Sequence, residues 1–229
     1  MSELVRGMFA AIAPRYDLAN QVLSLGVHHR WRRKLVRLAA LFPGASVLDC
    51  ATGTGDLALE WNKAAGETGH VVGTDFCEPM LVEARRKASG QGARLEFRAA
   101  DVQSLPFPDG SFDAASIAFG IRNVDDPVGA LREMGRVVKP GGQVWVLEFG
   151  QPQGVFGALY RFYNWAVLPN LGALVTGRRA PYEYLPRTAK AFPAGERFLD
   201  LMAEAGCFAE RRAIPLSFGI CYLYQGRCR

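Results

Sequence analysis

The chain of 229 residues has no stretch approaching 18 consecutive apolar positions, so no segment of it reads as a membrane-spanning helix. Its first residues, Met1-Ser2-Glu3-Leu4-Val5-Arg6, lack the apolar run of a signal peptide. The expectation is a cytoplasmic chain. Cysteine is scarce and scattered: Cys50, Cys77, Cys207, Cys221 and Cys228 are odd in number, form no Cys-x-x-Cys pair and make no cluster with histidine. Neither a disulfide framework nor a zinc site is expected from them, and no metal is expected from any ligand spacing in the chain. There is no repeat, no linker and no low-complexity tract, so residues 1–229 are read as one domain. Basic and aromatic residues do not interleave on one face, and no Asn-Pro-Pro-Tyr run is present, which argues against a nucleic-acid partner. A composition of 49% hydrophobic and 21% charged residues excludes collagen, coiled coil and disorder.

What is present is unevenly charged. Residues 1–40 carry seven basic and two acidic side chains, residues 41–177 eleven and fifteen, and residues 178–229 nine and five, so basic ends flank an acidic middle. Basic ends suit nucleic acid, an anionic lipid surface or an ordinary solvated helix face. Residues 3–40 have a helical period, with Val22, Leu23, Trp31, Leu35 and Leu38 three or four apart, and Pro14 divides them in two. From residue 45 short apolar runs at 46–50, 70–75, 94–97, 112–119 and 143–149 read as buried strands. Helical stretches at 55–65, 78–89 and 127–138 alternate with them. Such alternation predicts an α/β fold, a parallel sheet covered on both faces. Pro140-Gly141-Gly142 reads as a turn before the strand at 143. Residues 154–176 are apolar and aromatic, a helix is expected at 195–205, and two strand-like runs fill 207–227.

The segment Asp49-Cys50-Ala51-Thr52-Gly53-Thr54-Gly55-Asp56 joins the first strand to a helix. Glycines at 53 and 55 allow a sharp turn and close approach of a ligand at the carboxyl end of the sheet. A dinucleotide loop would place a third small residue where Ala58 stands, so spacing alone does not exclude it. The acidic residues decide. Asp75 ends the second strand twenty residues after Gly55, placed for ribose hydroxyls, and Asp101 and Val102 follow the third strand, where a carboxylate can receive an adenine amino group. Asp49 and Asp56 add negative charge beside the loop, hostile to a pyrophosphate and favourable to a sulfonium and an ammonium. The cofactor suggested is S-adenosyl-L-methionine, with Gly53, Thr54 and Gly55 facing its methionine part. Helix caps and turn carboxylates are the plain alternative for each aspartate taken singly.

Three blocks then carry a resemblance. Tyr16-Asp17-Leu18-Ala19-Asn20, continuing through Ser24 and His28-His29 to Trp31-Arg32, is one; Phe119-Gly120-Ile121-Arg122-Asn123-Val124 is the second; Arg136 to Gly142, ending in Glu148-Phe149, is the third. Together they resemble the ubiquinone/menaquinone biosynthesis C-methyltransferases from about Val5 to Gly226. The chain departs from that pattern at Ala19, where the family usually carries Met, and at Ala118, where relatives often place a Ser on the cofactor; a contact there would be through backbone. The resemblance implies a class I S-adenosyl-L-methionine-dependent methyltransferase: a Rossmann-like, mostly parallel seven-stranded sheet with helices on both faces, N-terminal helices over residues 1–40 as a lid, a cofactor core at 41–150, and a substrate-covering segment after strand five within 151–229.

The implied reaction is methylation of a ring carbon of a polyprenylated hydroquinone, demethylmenaquinol to menaquinol in the first place, with a benzoquinol or another small lipophilic phenol as the alternative substrate. A ring carbon becomes nucleophilic when the adjacent hydroxyl loses its proton. Arg122 is the first candidate to hold the phenolate or position a proton-accepting water, and an ion pair with Asp125, Asp126 or Glu133 is its structural alternative. Asn123 and Tyr16 are candidates to orient ring oxygens, and Tyr16 and Asp17 are expected to cover the pocket as a lid, with a helix cap by Asp17 as the plain alternative. His28 and His29 read as a solvated, accessory pair, and Glu148 is left between a ring contact and a loop cap. The aromatic stretch 154–176 suits a prenyl tail, with core or a dimer face as alternatives. Taken with the basic ends, it allows peripheral contact with an anionic membrane at its inner face.

Overall fold

The computed structural model describes residues 3–90 and 94–229. Its helices are α1 Glu3–Ile12, α2 Tyr16–Ser24, α3 Val27–Ala39, α4 Asp56–Ala65, α5 Glu78–Lys87, α6 Pro127–Val137, α7 Gly154–Phe162, α8 Leu168–Thr176, α9 Ala180–Ala191 and α10 Glu196–Ala205. The strands are β1 Ser46–Cys50, β2 His70–Asp75, β3 Leu95–Ala99, β4 Phe112–Ala118, β5 Val138–Phe149, β6 Phe208–Leu216 and β7 Cys221–Cys228. They form one sheet in the order β3-β2-β1-β4-β5-β7-β6. All run parallel except β7, which is antiparallel to both β5 and β6.

Period-two alternation explains why the strands read as unbroken apolar runs. Val47, Val71, Ala114, Trp145 and Leu147 pack on one face with Leu35 of α3, Trp61 of α4 and Ala84 of α5. Their neighbours Leu48, Val72, Ala115, Val144 and Val146 pack on the other with Leu131 and Met134 of α6 and Phe198 and Met202 of α10. Local chemistry sets the helix ends. Asp126 accepts from the Gly129 amide at 2.8 Å as the cap of α6, with Pro127 in its first turn. Three basic residues close α5.

The N-terminal region has a second break besides Pro14. Leu25 and Gly26 take left-handed φ of 50° and 73°, separating α2 from α3. The Pro140-Gly141-Gly142 turn lies inside β5, which begins at Val138, and the pairing of β4 with β5 slips register between Phe112 and Ala114 to accommodate it. Residues 154–176 form α7 and α8 joined by a wide π-helical turn, Tyr163–Val167. Helix α9 was not foreseen.

β1, β2 and β3 step one way across the sheet, and β4 and β5 step the other. A crevice therefore opens between the carboxyl ends of β1 and β4, where the crossover loops diverge.

Candidate active site

Two cavities lie over that crevice. The smaller, about 50 Å³, is lined by Ala51, Gly53, Asp75, Phe76, Cys77, Met80, Ala118, Phe119, Gly120 and Asn123, with Phe9 and Tyr16 from the N-terminal region. The larger, about 310 Å³, is walled by α2, α3, α7, α8, α9 and the turns after β4, β5 and β6. Its polar lining includes Ser24, His28, Arg32, Arg122 and Asn164 among aromatic and aliphatic side chains. Tyr16 and Phe119 belong to both cavities. Phe119 holds φ of 57°, an uncommon conformation for a bulky residue, where the two meet.

The loop after β1 coils through positive φ at Ala51, Gly53 and Gly55. A Cβ on Gly53 would meet nothing within 4 Å, so this turn leaves its backbone open to a ligand. Gly55 does the opposite. A Cβ there would lie 3.0 Å from Phe97 and 3.1 Å from Ala84, so its role is close packing of loop, helix and sheet. Asp75 is buried at the end of β2 and accepts from the Gly53 amide and the Cys77 amide, each at 2.9 Å. Burial raises its pKa against the pull of these amides. The open Gly53 backbone, the Asp75 carboxylate with lone pairs left over, and Asn123 and Ala118 opposite fit the adenosyl and methionine parts of S-adenosyl-L-methionine.

Other residues expected at the cofactor have partners within the protein. Asp49 is buried beneath the loop, accepting from Thr52 Oγ1 at 2.6 Å and Ser116 Oγ at 2.7 Å, and burial pushes its pKa up to about 6. Thr54 donates to Asp17 Oδ1 at 2.5 Å and accepts from Lys87 Nζ at 3.2 Å, so its hydroxyl serves the lid rather than the smaller cavity. Asp101 is exposed and accepts from the Gln103 amide, while Val102 packs in the core with Leu105 and Phe112. Asp17 does not cap α2. Its carboxylate ties that helix to Thr54 and to Lys87 Nζ, 2.8 Å away, and Lys87 also holds Asp56 at 2.5 Å.

Arg122 pairs with Glu148, not with Asp125, Asp126 or Glu133. Arg122 Nη1 donates to Glu148 Oε1 at 2.8 Å and to the Phe119 carbonyl at 2.5 Å; both side chains are buried, 4% and 1% exposed. Glu133 instead serves Arg136 and the Leu105 amide. Glu148 Oε1 also accepts from the Phe149 amide at 2.8 Å. The guanidinium lies 5.3 Å from the Phe149 ring centroid, and its Nε, buried, has no acceptor among the described residues. Asn123 accepts from the Tyr184 hydroxyl at 3.1 Å, linking the smaller cavity to α9.

The histidines are not a solvated pair. His29 is exposed, but His28 is buried and lines the larger cavity. Burial, then the Arg32 guanidinium and His29, hold its pKa down at about 3. Folding also brings His28, His29 and Asp56 within 4.8 Å of one another, a grouping that spacing along the chain did not reveal. Asp56 is already held by Arg32 at 3.4 Å and Lys87 at 2.5 Å, and two cations on one carboxylate oppose a third.

The model of the ubiE/COQ5 methyltransferase family matches residues 1–227. The ubiquinone/menaquinone biosynthesis C-methyltransferase UbiE of Bdellovibrio bacteriovorus is 54% identical over 225 residues, 98% of this chain and 95% of that protein. The demethylmenaquinone methyltransferase of Thermus thermophilus is 50% identical, covering 96% of this chain and 99% of its own length. Among solved structures, a SAM-dependent methyltransferase of Thermotoga maritima, titled a possible histamine N-methyltransferase, superposes with a TM-score of 0.68 at 21% identity, over 97% of this chain and 99% of that one. At that identity the likeness establishes the class I methyltransferase fold.

Proposed function

The chain belongs to the ubiE/COQ5 methyltransferase family, and from that premise we propose that it methylates a ring carbon of a polyprenylated hydroquinone, demethylmenaquinol to menaquinol, with a demethyl benzoquinol as the alternative substrate. The observation that carries this reading is the pair of cavities meeting at Tyr16 and Phe119. We assign one to the cofactor; the other is a mostly apolar chamber with a buried Arg122–Glu148 pair in its wall. S-adenosyl-L-methionine, when bound, supplies an electrophilic methyl group on a sulfonium.

The chain's own residues prepare the ring. Arg122, neutralised at rest by Glu148, lines the larger cavity with its guanidinium and stabilises the oxygen that gains charge as the hydroxyl proton passes to a water. Tyr16, shared by both cavities, keeps the ring against the methyl donor. Holding two reactants at near-attack distance contributes on the order of 7–11 kcal/mol to the lowering of the barrier. The apolar walls take the first prenyl units, at about 0.8 kcal/mol per buried methylene. Offering demethylmenaquinol and demethyl benzoquinol in parallel tests the reading, and turnover of neither would reject it. The same assay with a chelator should lose no activity; loss restored by one divalent ion would assign a metal to His28, His29 and Asp56.

The quinol is lipophilic, and no helix among the described residues is long and apolar enough to cross a membrane. We propose that the chain reaches it by peripheral contact with the membrane. The outward side of α7 and the wide turn exposes Val155 (82%), Leu159, Phe162 and Trp165 (77%), while Tyr160, Tyr163 and Asn164 of the same stretch line the cavity. No acidic residue stands between 149 and 182, while Arg161 and Arg178 do; Arg179 is paired with Glu183 at 2.6 Å. A basic, aromatic face of this kind suits an anionic lipid surface. Burying one such aromatic contributes about 1.5–3 kcal/mol. Phe162→Ala with Trp165→Ala should therefore lower sedimentation with anionic vesicles more than tenfold, without loss of turnover on a soluble short-tailed quinol. Concentration-dependent dimers abolished by the same changes would assign the face to a second copy instead.

A further inference from the structure

We propose that His28 is the hydrogen-bond acceptor for a ring hydroxyl of the substrate, held in a single tautomer by Ser24, and that it selects the reduced ring over the oxidised quinone. The inference rests on the quinol reading above.

Ser24 ends α2 and His28 lies in the first turn of α3; the left-handed turn at Leu25 and Gly26 folds one back onto the other, and both line the larger cavity. Serine has one hydroxyl proton. Ser24 Oγ donates it to the Asn20 carbonyl at 2.7 Å. Toward His28 Nδ1, 2.5 Å away, Oγ can then only accept, so the proton of the imidazole lies on Nδ1. A neutral imidazole protonated there carries a lone pair on Nε2. The ring stays neutral because burial, Arg32, His29 and Lys87 all disfavour a charge, with Asp56 alone opposing them, and the amino end of α3 adds to the disfavour. Nε2 has no hydrogen-bond partner among the described residues and is not among the buried atoms cut off from open space.

One cavity is therefore lined by a cation, the Arg122 guanidinium beside Glu148, and by His28 with its bare acceptor, Nε2. A hydroquinone satisfies both, with one oxygen that gains charge and one hydroxyl that keeps its proton. An oxidised quinone has two carbonyls, and the one placed at His28 would set a lone pair against a lone pair. Rejection of a ligand lacking a needed hydrogen-bonding group is where a polar site discriminates best.

The test begins without substrate. Nitrogen NMR of protein labelled at histidine should show His28 with Nδ1 protonated and Nε2 not, from pH 5 to 8, and Ser24→Ala should mix the tautomers. An Nε2–H form in the native protein would overturn the assignment. The second arm compares KM for a short-tailed quinol with the inhibition constant of the matching quinone, under anaerobic conditions. His28→Leu should raise KM about tenfold, with a smaller change in kcat, and should erase most of the preference for the quinol. His28→Gln, which keeps an acceptor oxygen, should recover part of both. Should His28→Leu not fold, Ser24→Ala serves, and it too should narrow the preference. An unchanged preference in a folded variant would reject the proposal. Native protein that leaves both quinols unmethylated would reject the quinol reading and this inference with it, a result distinct from a wrong tautomer.

Discussion

Arg122→Ala should cut turnover about 100-fold or more and, at the same time, lower stability by about 3–5 kcal/mol. Two effects are expected because the residue has two roles. Toward the substrate it lines the larger cavity with a positive charge; toward the protein it neutralises Glu148, which is 1% exposed. Removing the guanidinium leaves a carboxylate in the interior with only the Phe149 and Arg122 backbone amides for company. Thermal denaturation should register this as a loss on the order of 10 °C in a chain of this size. A double variant separates the roles. Arg122→Met with Glu148→Gln removes both charges and keeps an acceptor for the Phe149 amide, so the melting temperature should return toward the native value while turnover stays low. Turnover that recovered together with stability would leave Arg122 as a structural cation and nothing more. Arg122→Lys adds a finer distinction: a lysine ammonium keeps the charge but not the planar fork that reaches Glu148 and the Phe119 carbonyl together.

For Asp75→Ala the expected result is a roughly 5- to 150-fold loss of cofactor affinity by calorimetry, about 1–3 kcal/mol. The carboxylate does more than wait for ribose hydroxyls. It fastens the Gly53 amide and the Cys77 amide, and so fixes the loop whose open backbone faces the smaller cavity. Its pKa is raised by burial, so it loses its charge at a higher pH than an ordinary carboxylate. Cofactor affinity should accordingly fall as the solution is acidified, and Asp75→Asn should flatten that limb. Native affinity in folded Asp75→Ala would remove this residue from the cofactor site.

The strands could be read from sequence because each is buried on both sides, and a chain with Val47 and Leu48 facing opposite cores has no choice but to be apolar throughout. The wide turn at 163–167 left no such trace, since its neighbours have the composition of any aromatic helix. Helix α9 was hidden by Pro181 and Pro186; the first is tolerated in the opening turn, and the second sits inside the helix, where sequence reasoning expects a break. The partner of Arg122 could not be read because it comes from a neighbouring strand 26 residues away, although a lone glutamate ending an apolar run was a signal. His28 offered a better one. With Arg32, Leu35 and Ala39 it recurs every three or four residues along the buried stripe of α3, which marks an interior histidine rather than a solvated one. The glycine loop was legible in kind but not in orientation, since spacing does not say that Thr54 faces the lid.

The Asp17, Thr54 and Lys87 contacts bind α2 to the same loop that exposes Gly53, and Phe9 and Tyr16 close the smaller cavity from outside. At about 50 Å³ that cavity is well below the roughly 300–1,000 Å³ of sites that enclose a drug-sized molecule. Binding of the methyl donor is therefore expected to displace the N-terminal helices that line it, and those helices also wall the quinol chamber through Asn20, Ser24 and Trp31. The order of arrival is thereby written into the fold. Donor first lets the helices settle and the chamber assemble around it; quinol first would find a chamber whose wall has yet to close. Steady-state kinetics should be sequential and ordered, and departure of the spent donor, which needs the clasp to open again, becomes the natural candidate for the slow step.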